Sequence, residues 1–260
     1  MNGAGNDFVL IDNRDGGVSL SREQLAGLCH RQRGIGADGL ILLRHATSGA
    51  DWAWDFYNAD GSNAEMCGNG ARCFARYIDR LAEGNGEPSF ETACGIIHAQ
   101  INGAEVTVDL TNPHGLILNE TIPITVGEQT VHTLNTGVPH AVLFVDDGDA
   151  AMVEKLGSEI RRHEHFAPAG TNVNFVQVLK PGHIRTRTHE RGVGETLACG
   201  TGVCASAMVS ARLNDWPSPV KVEVLGGDTL AVAFASEGDE FSQVQLTGPA
   251  EFVFEGTVEI

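Results

Sequence analysis

The sequence lacks the features that mark membrane, secreted and nucleic-acid-binding proteins. Its 260 residues contain no apolar run of about 18 residues, the length that a membrane-spanning helix needs. The first residues carry neither the basic nor the apolar segment of a signal peptide, so a cytoplasmic location is expected. Basic residues are few, with 17 Lys and Arg against 34 Asp and Glu. The net charge of −17 repels phosphate backbones, so neither a nucleic acid nor a membrane is an expected partner.

The six cysteines lack the spacings of metal and disulfide sites. No C-x-x-C pair occurs, which argues against a zinc ribbon and against a thioredoxin-like redox site. A disulfide framework is not expected in a chain of this length without a secretion signal. Neither a lysine motif for pyridoxal phosphate nor a set of metal ligands is evident, so we expect no cofactor and no metal. Four of the cysteines are interpreted as buried core residues: Cys29, Cys73, Cys94 and Cys204.

The other two cysteines belong to a repeated motif. The segments Cys67-Gly68-Asn69-Gly70 and Cys199-Gly200-Thr201-Gly202 both read C-G-x-G and lead into helix-compatible residues. They lie 132 positions apart (199 − 67 = 132), about half the chain. Two more pairs of similar segments lie at nearly the same offset, 5–11 with 137–143 and 36–42 with 170–176. Three matches in one order indicate a duplication and therefore two similar lobes, each with one of these cysteines.

Segments typical of strands outnumber segments typical of helices. Helices are predicted at residues 21–31, 70–81, 151–162 and 202–213, the first with a capping signal at Ser21. Strands are predicted at residues 8–12, 39–44, 52–57, 96–101, 105–110, 141–145, 174–179, 184–189, 220–224 and 229–234. This balance favours an α+β fold in which each lobe is a mostly antiparallel or mixed sheet wrapped around a central helix. The turn-rich stretch from Asn112 to Gly115 predicts that the first lobe ends at about residue 112.

A C-G-x-G segment at the start of a helix suits the binding of a carboxylate beside a reactive thiol. The first helical amides have no partner within the helix, and the helix dipole adds to their attraction for anions. Glycine lets a ligand approach the backbone closely, and a thiolate in this place is stabilised. Two such segments around one amino-acid carboxylate would place a thiol on each face of the α-carbon. Inversion of that carbon requires this arrangement, because one group removes a proton from one face and another delivers a proton to the opposite face. A single segment of this kind is more often a buried thiol beside a turn.

Longer motifs surround these cysteines over nearly the whole chain. They are Gly5-Asn6-Asp7-Phe8, Asn58-Ala59-Asp60-Gly61-Ser62, Cys67-Gly68-Asn69-Gly70-Ala71-Arg72-Cys73, Phe90-Glu91-Thr92-Ala93, Pro139-His140, Thr171-Asn172-Val173-Asn174-Phe175, Glu190 through Gly202, and Thr247-Gly248-Pro249-Ala250. Together they closely resemble the diaminopimelate epimerases. The resemblance implies a cofactor-independent isomerase that interconverts LL- and meso-2,6-diaminopimelate, a step toward lysine and a peptidoglycan precursor. It also implies that residues 247–260 return to the first lobe, which leaves 113–246 as the second lobe, and that the active site lies in the cleft between the lobes.

The resemblance implies roles for individual residues as well. Cys67 and Cys199 are the acid/base pair, and His140 and Glu190 tune the thiols. The implied substrate contacts are Asn6, Asn58, Gly68, Asn69, Asn172, Glu190, Arg191, Gly200 and Thr201. Each of the polar residues also has a structural interpretation when it is taken singly. Glu190 and Arg191 could form a surface ion pair, Asn58 and Asn172 could be turn residues, and His140 could be a core histidine.

Three features depart from the family's pattern. Val138 stands where many members have asparagine, so one contact to the far end of the substrate is missing or moved. Gly39 stands where some members have glutamine, so only a backbone contact is expected there. The chain begins almost inside the first motif, which indicates a shortened first strand or a misassigned start. The resemblance further implies a homodimer, with Phe254 as a possible dimer contact.

Two other functions are compatible with the cysteine pair. A racemase of the same fold could act on proline, hydroxyproline or histidine, with the same chemistry and a different pocket for the far end of the substrate. Arg191 beside Glu190, together with Asn172, favours a substrate whose far end is charged. A protein without enzymatic activity could instead use the two thiols for redox sensing or metal binding.

Overall fold

Two compact units make up the protein. The computed structural model describes residues 1–64 and 66–259. One unit comprises Met1–Asp109 and the C-terminal segment from Gly248, and the other comprises Leu110–Thr247. The sequence placed these divisions after residues 112 and 246. Within the described residues, every helix is too short or too polar to cross a membrane.

The first unit is one mixed sheet with two helices. Its strands pair in the order of the chain, parallel between β2 and β3 and between β4 and β5, and antiparallel elsewhere. The second helix packs on strands at both ends of this order, and its Phe74 stacks with Trp54 and Phe90 in the core. The elements are β1 (Asn2–Gly3), β2 (Asn6–Asp12), α1 (Arg22–Cys29), β3 (Gly39–His45), β4 (Trp52–Asn58), α2 (Gly68–Ala82), β5 (Ser89–Thr92), β6 (Gly95–Asn102) and β7 (Glu105–Asp109).

The second unit is a larger mixed sheet with two helices and a short 3-10 turn at Glu164–Phe166. The elements are β8 (His114–Ile124), β9 (Gly127–Asn135), β10 (Pro139–Phe144), α3 (Val153–Arg161), β11 (Asn172–Lys180), β12 (His183–Glu190), β13 (Gly194–Thr196), α4 (Gly200–Asn214), β14 (Val220–Val224), β15 (Thr229–Glu237) and β16 (Glu240–Pro249). The strands are adjacent in the order β8-β9-β10-β11-β12-β14-β15-β16, with β13 beside β12. Two pairs are parallel, β10 with β11 and β12 with β14. Helix α4 packs against six of these strands and is buried over most of its length.

The two units repeat one topology. The order β2-α1-β3-β4-α2-β5-β6-β7 returns as β10-α3-β11-β12-α4-β14-β15-β16, with the same sequence of parallel and antiparallel pairs. Helices α2 and α4 both have 15 residues and begin 132 positions apart (200 − 68 = 132). Each ends at a residue in the left-handed conformation, Glu83 or Asp215. The predicted α+β fold of two similar lobes, each built around a helix, is therefore confirmed.

The helix boundaries were predicted less well than the helices themselves. Helices α2 and α4 begin two residues earlier than predicted, because Cys67 and Cys199 are extended residues that cap them. The glycines that follow are poor helix formers, so sequence patterns do not mark them as helical. The capping signal at Ser21 is confirmed, since Ser21 accepts from the Gln24 amide and the Gln24 side chain accepts from the Ser21 amide.

The prediction that four cysteines are core residues is wrong for one of them, Cys94. Cys29, Cys73 and Cys204 are buried, but Cys94 is exposed. It lies in the turn between β5 and β6, where its amide donates to Thr92 Oγ1 at 3.1 Å. A turn directs its side chains toward solvent, and this position was misread because cysteine is most often buried.

Candidate active site

The candidate site residues of the first unit lie around Cys67, the residue that precedes helix α2. Its backbone is extended, and its carbonyl accepts the first helical hydrogen bond from Ala71 at 2.8 Å. The intervening amides, those of Gly68 to Gly70, therefore have no acceptor within the helix. The thiol is half-buried and lies 3.6 Å from Asn6 Oδ1. Cys67 thus combines a thiol with the anion-attracting end of a helix.

Asn6 is oriented by an acidic residue. Its Nδ2 donates to Asp38 Oδ2 at 2.6 Å, and a carboxylate can only accept. The amide oxygen of Asn6 is therefore the atom that faces Cys67. Asp38 is held in turn by Arg31, which donates to Asp38 Oδ1 at 2.6 Å and to both carboxylate oxygens of Asp7 at 2.9 Å. The guanidinium of Arg31 is among the groups that lower the pKa of Asp7, against the effect of burial.

Asn69 is oriented by a buried arginine. Arg72 is fully buried in the first turns of α2, and its Nη2 donates to Asn69 Oδ1 at 3.0 Å. A guanidinium only donates, so the Nδ2 of Asn69 points the other way, toward Asn6 Oδ1 at 3.4 Å. Arg72 also reaches the carbonyl of Pro249 at 3.3 Å, which anchors the C-terminal segment to this helix. Charged residues at both ends therefore set the orientation of the two amides beside Cys67.

Gly39 and Asn58 are neighbours in the sheet of this unit, directly opposite each other on β3 and β4. A side chain at Gly39 is excluded, because a Cβ there would lie 2.8 Å from the Tyr57 carbonyl oxygen and 2.9 Å from the Phe56 ring. The side chain of Asn58 is exposed and turned toward its own loop, where Nδ2 donates to Ser62 Oγ at 3.1 Å. In this conformation Asn58 is a turn residue, and its contact with substrate stays a prediction.

The candidate site residues of the second unit lie around Cys199, which precedes α4 as Cys67 precedes α2. Its carbonyl accepts from Val203 at 2.8 Å, and its thiol is 3.6 Å from Thr201 Oγ1. The side chain is buried, with 6% of its surface exposed. Burial and then the negative charge of Glu190 raise the pKa of Cys199 well above its ordinary value, and hydrogen bonds from Thr201 and the Gly202 amide oppose them. Cys199 is therefore a thiol at neutral pH, and the stabilised thiolate that the sequence predicted at this helix start is not found because burial outweighs the hydrogen bonds.

Glu190 and Arg191 do not pair with each other in the described part of the chain. Glu190 Oε1 accepts from Thr196 Oγ1 at 2.6 Å, and the Glu190 carboxylate is near enough to the Cys199 thiol to raise its pKa. The Arg191 amide donates to Asn172 Oδ1 at 2.8 Å, and its guanidinium contacts the carbonyl of Ala169 at 3.3 Å. The surface ion pair considered from the sequence is therefore wrong, and the half-buried side chain of Arg191 binds no carboxylate among the described residues.

His140 lies on β10 opposite Asn172 of β11, and 1% of its surface is exposed. Burial, together with the positive charge of Arg191, lowers the pKa of His140 to about 3. Its Nδ1 is 3.1 Å from Asn174 Nδ2, and its buried Nε2 has no hydrogen-bond partner in the described chain. The imidazole is therefore neutral at physiological pH, so His140 can act on a thiol as a hydrogen-bonding group and not as a cation.

Most of the predicted site residues gather around the two cysteines within their own units. Asn6, Gly68 and Asn69 surround Cys67, while Glu190, Gly200 and Thr201 surround Cys199. Phe254 is 68% exposed. Val138 occupies the turn before β10, where its carbonyl accepts from Thr136 at 3.2 Å.

Sequence reasoning missed the residues that orient the site: Arg31, Asp38, Arg72, Asn174 and Thr196. Arg72, Asn174 and Thr196 lie within the motifs. Asp38 lies in the repeated segment 36–42, and Arg31 lies outside all of these segments. Each residue type is common in loops, helices and strands. Only Arg72 and Asn174 carry a possible signal, because a polar residue within an otherwise apolar segment must find a partner when it is buried.

Solved structures show which class of protein has this fold. A probable proline racemase from Agrobacterium radiobacter matches 86% of this chain and 77% of its own, with a TM-score of 0.67 and 20% identity. A hydroxyproline epimerase from Agrobacterium vitis matches the same shares, with a TM-score of 0.66 and 22% identity. A PhzF-family phenazine biosynthesis protein from Bacillus anthracis matches 100% of this chain and 95% of its own, with a TM-score of 0.74 and 16% identity. The fold is thus one that racemases and epimerases share.

The sequence comparisons identify the family within this class. The family model for diaminopimelate epimerase matches residues 1–115 and 132–253. Diaminopimelate epimerases from Hydrogenobaculum sp. and Aquifex aeolicus are each 44% identical over 98% of this chain and 95% of their own length. One from Chlorobaculum tepidum is 41% identical over the full length of both chains. The chain belongs to the diaminopimelate epimerase family, which confirms the resemblance found in its motifs.

Proposed function

We propose that this enzyme interconverts LL- and meso-2,6-diaminopimelate by moving the α-proton between Cys67 and Cys199. The observation that carries the proposal is that each unit places one of these cysteines immediately before a glycine-rich helix start. The family membership supports the substrate, since relatives of 38–44% identity over nearly the whole chain are diaminopimelate epimerases. The redox and metal-binding alternatives have no comparable support.

The proposed reaction needs two thiols in opposite protonation states. The thiolate takes the α-proton and becomes a thiol, and the electron pair of the broken C–H bond spreads toward the carboxylate. The other thiol then protonates the opposite face and becomes a thiolate. The raised pKa of Cys199 supports a reaction that starts with Cys199 as the proton donor, which leaves Cys67 as the proposed base. Amides at the two helix starts, those of Gly68, Asn69, Gly200 and Thr201, would stabilise the negative charge.

The far end of diaminopimelate carries an ammonium and a carboxylate, and the residues near Cys199 suit it. Arg191 can bind a carboxylate through two parallel hydrogen bonds, and among the described residues its guanidinium is held only by the Ala169 carbonyl at 3.3 Å. Asn172 is already engaged through its oxygen by the Arg191 amide, so its Nδ2 is the atom available for substrate. Asn6 and Asn58 are further proposed contacts. Both a homodimer through Phe254 and a cytoplasmic location stay predictions.

Incubation with LL-diaminopimelate in D₂O under reducing conditions tests this function. We expect meso product that carries deuterium at the inverted carbon, while the remaining LL substrate stays unlabelled early in the reaction. This asymmetry arises because one group removes the proton and a different group, equilibrated with solvent, supplies the new one. Proline, hydroxyproline and histidine serve as controls and should not react. Turnover of any of these three in preference to diaminopimelate would contradict the proposed substrate.

Asp38→Ala is expected to lower kcat/KM for epimerisation by about 10- to 100-fold, the loss typical of one charge-assisted hydrogen bond. Without the carboxylate, the amide of Asn6 is free to rotate and to present Nδ2 to Cys67. The free energy of unfolding should change by less than about 1 kcal/mol, because exposed ion pairs contribute little to it. Steady-state kinetics and urea denaturation measure the two effects.

Asp12→Ala is the matched control for this variant. Asp12 ends β2, the strand that begins at Asn6, and pairs with Arg14 at 2.6 Å, with an exposure close to that of Asp38. It has no contact with Asn6 in the described structure, so its removal should leave kcat/KM unchanged. Equal losses of activity in the two variants would show that Asp38 acts on the strand and not on Asn6.

A further inference from the structure

Asn174 forms the centre of a buried polar cluster in the second unit. The residue is fully buried on β11, two residues along from Asn172, which pairs with His140. Its Nδ2 lies 3.0 Å from the carbonyl oxygen of Ala141 and 3.1 Å from His140 Nδ1. Its Oδ1 accepts from Thr188 Oγ1 at 2.9 Å. All the polar atoms of this side chain are therefore engaged.

The backbone carbonyl of Ala141 settles which way the Asn174 amide points. A carbonyl oxygen can only accept, so the atom that contacts it must be the NH₂ group of Asn174. The Thr188 hydroxyl can donate to the remaining oxygen, which agrees with this orientation. The second hydrogen of the same NH₂ group then points at His140 Nδ1. That nitrogen must present its lone pair, and the proton of the neutral ring must lie on Nε2.

We propose that Asn174 is a positioning residue that holds His140 as the neutral tautomer with its proton on Nε2. This proposal extends the proposed function, in which His140 tunes a thiol. It depends on that function only for the identity of the group that accepts a hydrogen bond from Nε2–H. Nε2 is buried and has no acceptor in the described chain, a costly state for a donor. Such a donor is explained when an anionic group, a thiolate or the substrate carboxylate, approaches it during the reaction.

The same cluster disfavours the imidazolium form. Protonation would place an N–H on Nδ1 against the N–H of Asn174, and the amide cannot turn without losing its contacts to Ala141 and Thr188. Burial and the positive charge of Arg191 act in the same direction, so the pKa of His140 falls to about 3. A Cβ at Gly202, in the first turn of α4, would overlap Asn174 Oδ1. Asn174 is thereby packed against the helix that carries Cys199.

The direct test is the protonation state of the His140 nitrogens, measured by ¹⁵N NMR on the labelled enzyme and assigned with His140→Gln. In the wild type we expect a protonated Nε2 and an unprotonated Nδ1 down to about pH 5, since the pKa lies well below this value. A protonated Nδ1 in the wild type would overturn the proposal. This measurement needs neither substrate nor activity, so its outcome is independent of whether the proposed epimerisation is observed.

Asn174→Asp tests the role of the amide itself. A carboxylate at this position accepts from Nδ1–H, so the proton should move to Nδ1 and the pKa of His140 should rise toward or above about 6.5. Thr188→Val is the matched control, because it removes a contact to the same amide but leaves the Ala141 carbonyl in place. We expect the wild-type tautomer in Thr188→Val. A wild-type tautomer in Asn174→Asp would contradict the role of Asn174.

The pH dependence of unfolding gives a second measurement, which also serves for variants of low stability. The folded pKa of His140 is depressed, so below about pH 6.5 the unfolded chain binds a proton that the folded protein does not. The unfolding equilibrium constant of the wild type should therefore rise about tenfold per pH unit from this residue as the pH falls toward 4. Asn174→Asp should lose most of this rise, and Thr188→Val should keep it. The same slope in all three proteins would overturn the proposal.

Discussion

Replacing either Cys67 or Cys199 with alanine is expected to lower kcat for epimerisation by about a thousandfold or more. Each variant keeps only one of the two groups that the inversion needs, and water cannot replace the other at a comparable rate. The helix starts and the substrate contacts stay in place, so binding of diaminopimelate should weaken little. Steady-state kinetics measures the rate, and isothermal titration measures binding to the inactive variants.

The neighbouring cysteines provide matched controls for these substitutions. Cys73 and Cys204 lie in the first turns of the same two helices, α2 and α4, and are fully buried. Burial raises the pKa of Cys73 to about 12, so it stays a thiol throughout the working range. Alanine at either position should cost about 1–2 kcal/mol of stability and leave most of the activity. Substantial epimerisation by Cys67→Ala or Cys199→Ala would rule out the two-thiol mechanism.

Glu195→Ala is expected to lower the free energy of unfolding by about 3 kcal/mol, near the low end for breaking a buried ion pair. Glu195 on β13 accepts two hydrogen bonds from Arg187 on β12, at 2.6 and 2.8 Å, and each side chain is 15% exposed. Its removal leaves a largely buried guanidinium without its carboxylate. The carbonyl of Gly148, which accepts from Arg187 at 2.9 Å, keeps the loss from being larger. Urea denaturation measures the change.

This ion pair also bears on activity, because β13 leads directly to Cys199. Strand β13 holds Thr196, whose hydroxyl donates to Glu190 beside the thiol. We therefore expect a lower kcat in Glu195→Ala as well as lower stability. Glu195→Gln keeps one hydrogen bond and should recover part of both. The exposed pair of Arg212 with Asp239, at 2.7 Å, is the control, and Asp239→Ala should cost less than about 1 kcal/mol. Equal costs at Glu195 and Asp239 would contradict the importance of burial.

The success of sequence reasoning depended on how local each feature is. The capping of helix α1 by Ser21 and Gln24, and the two C-G-x-G helix starts, are encoded within a few consecutive residues and were found. Strands β8, β9 and β16 were missed, as were the short strands β1, β5 and β13. Strand β8 lies at the edge of its sheet with two shifts in register, so its side chains do not alternate cleanly between buried and exposed. Irregular edge strands leave little periodicity to detect.

The sequence by itself determined the fold class, the duplication and the two cysteines with their glycine-rich flanks, because local spacing and an internal repeat carry that information. The tertiary structure alone decided the protonation of Cys199 and the orientation of the polar groups around both thiols. Asp38 reaches Asn6 from 32 positions away, and Asn174 reaches His140 from 34 positions away. Hydrogen-bond direction and burial depend on which residues distant in sequence come into contact in the fold, and a local sequence pattern does not contain that information.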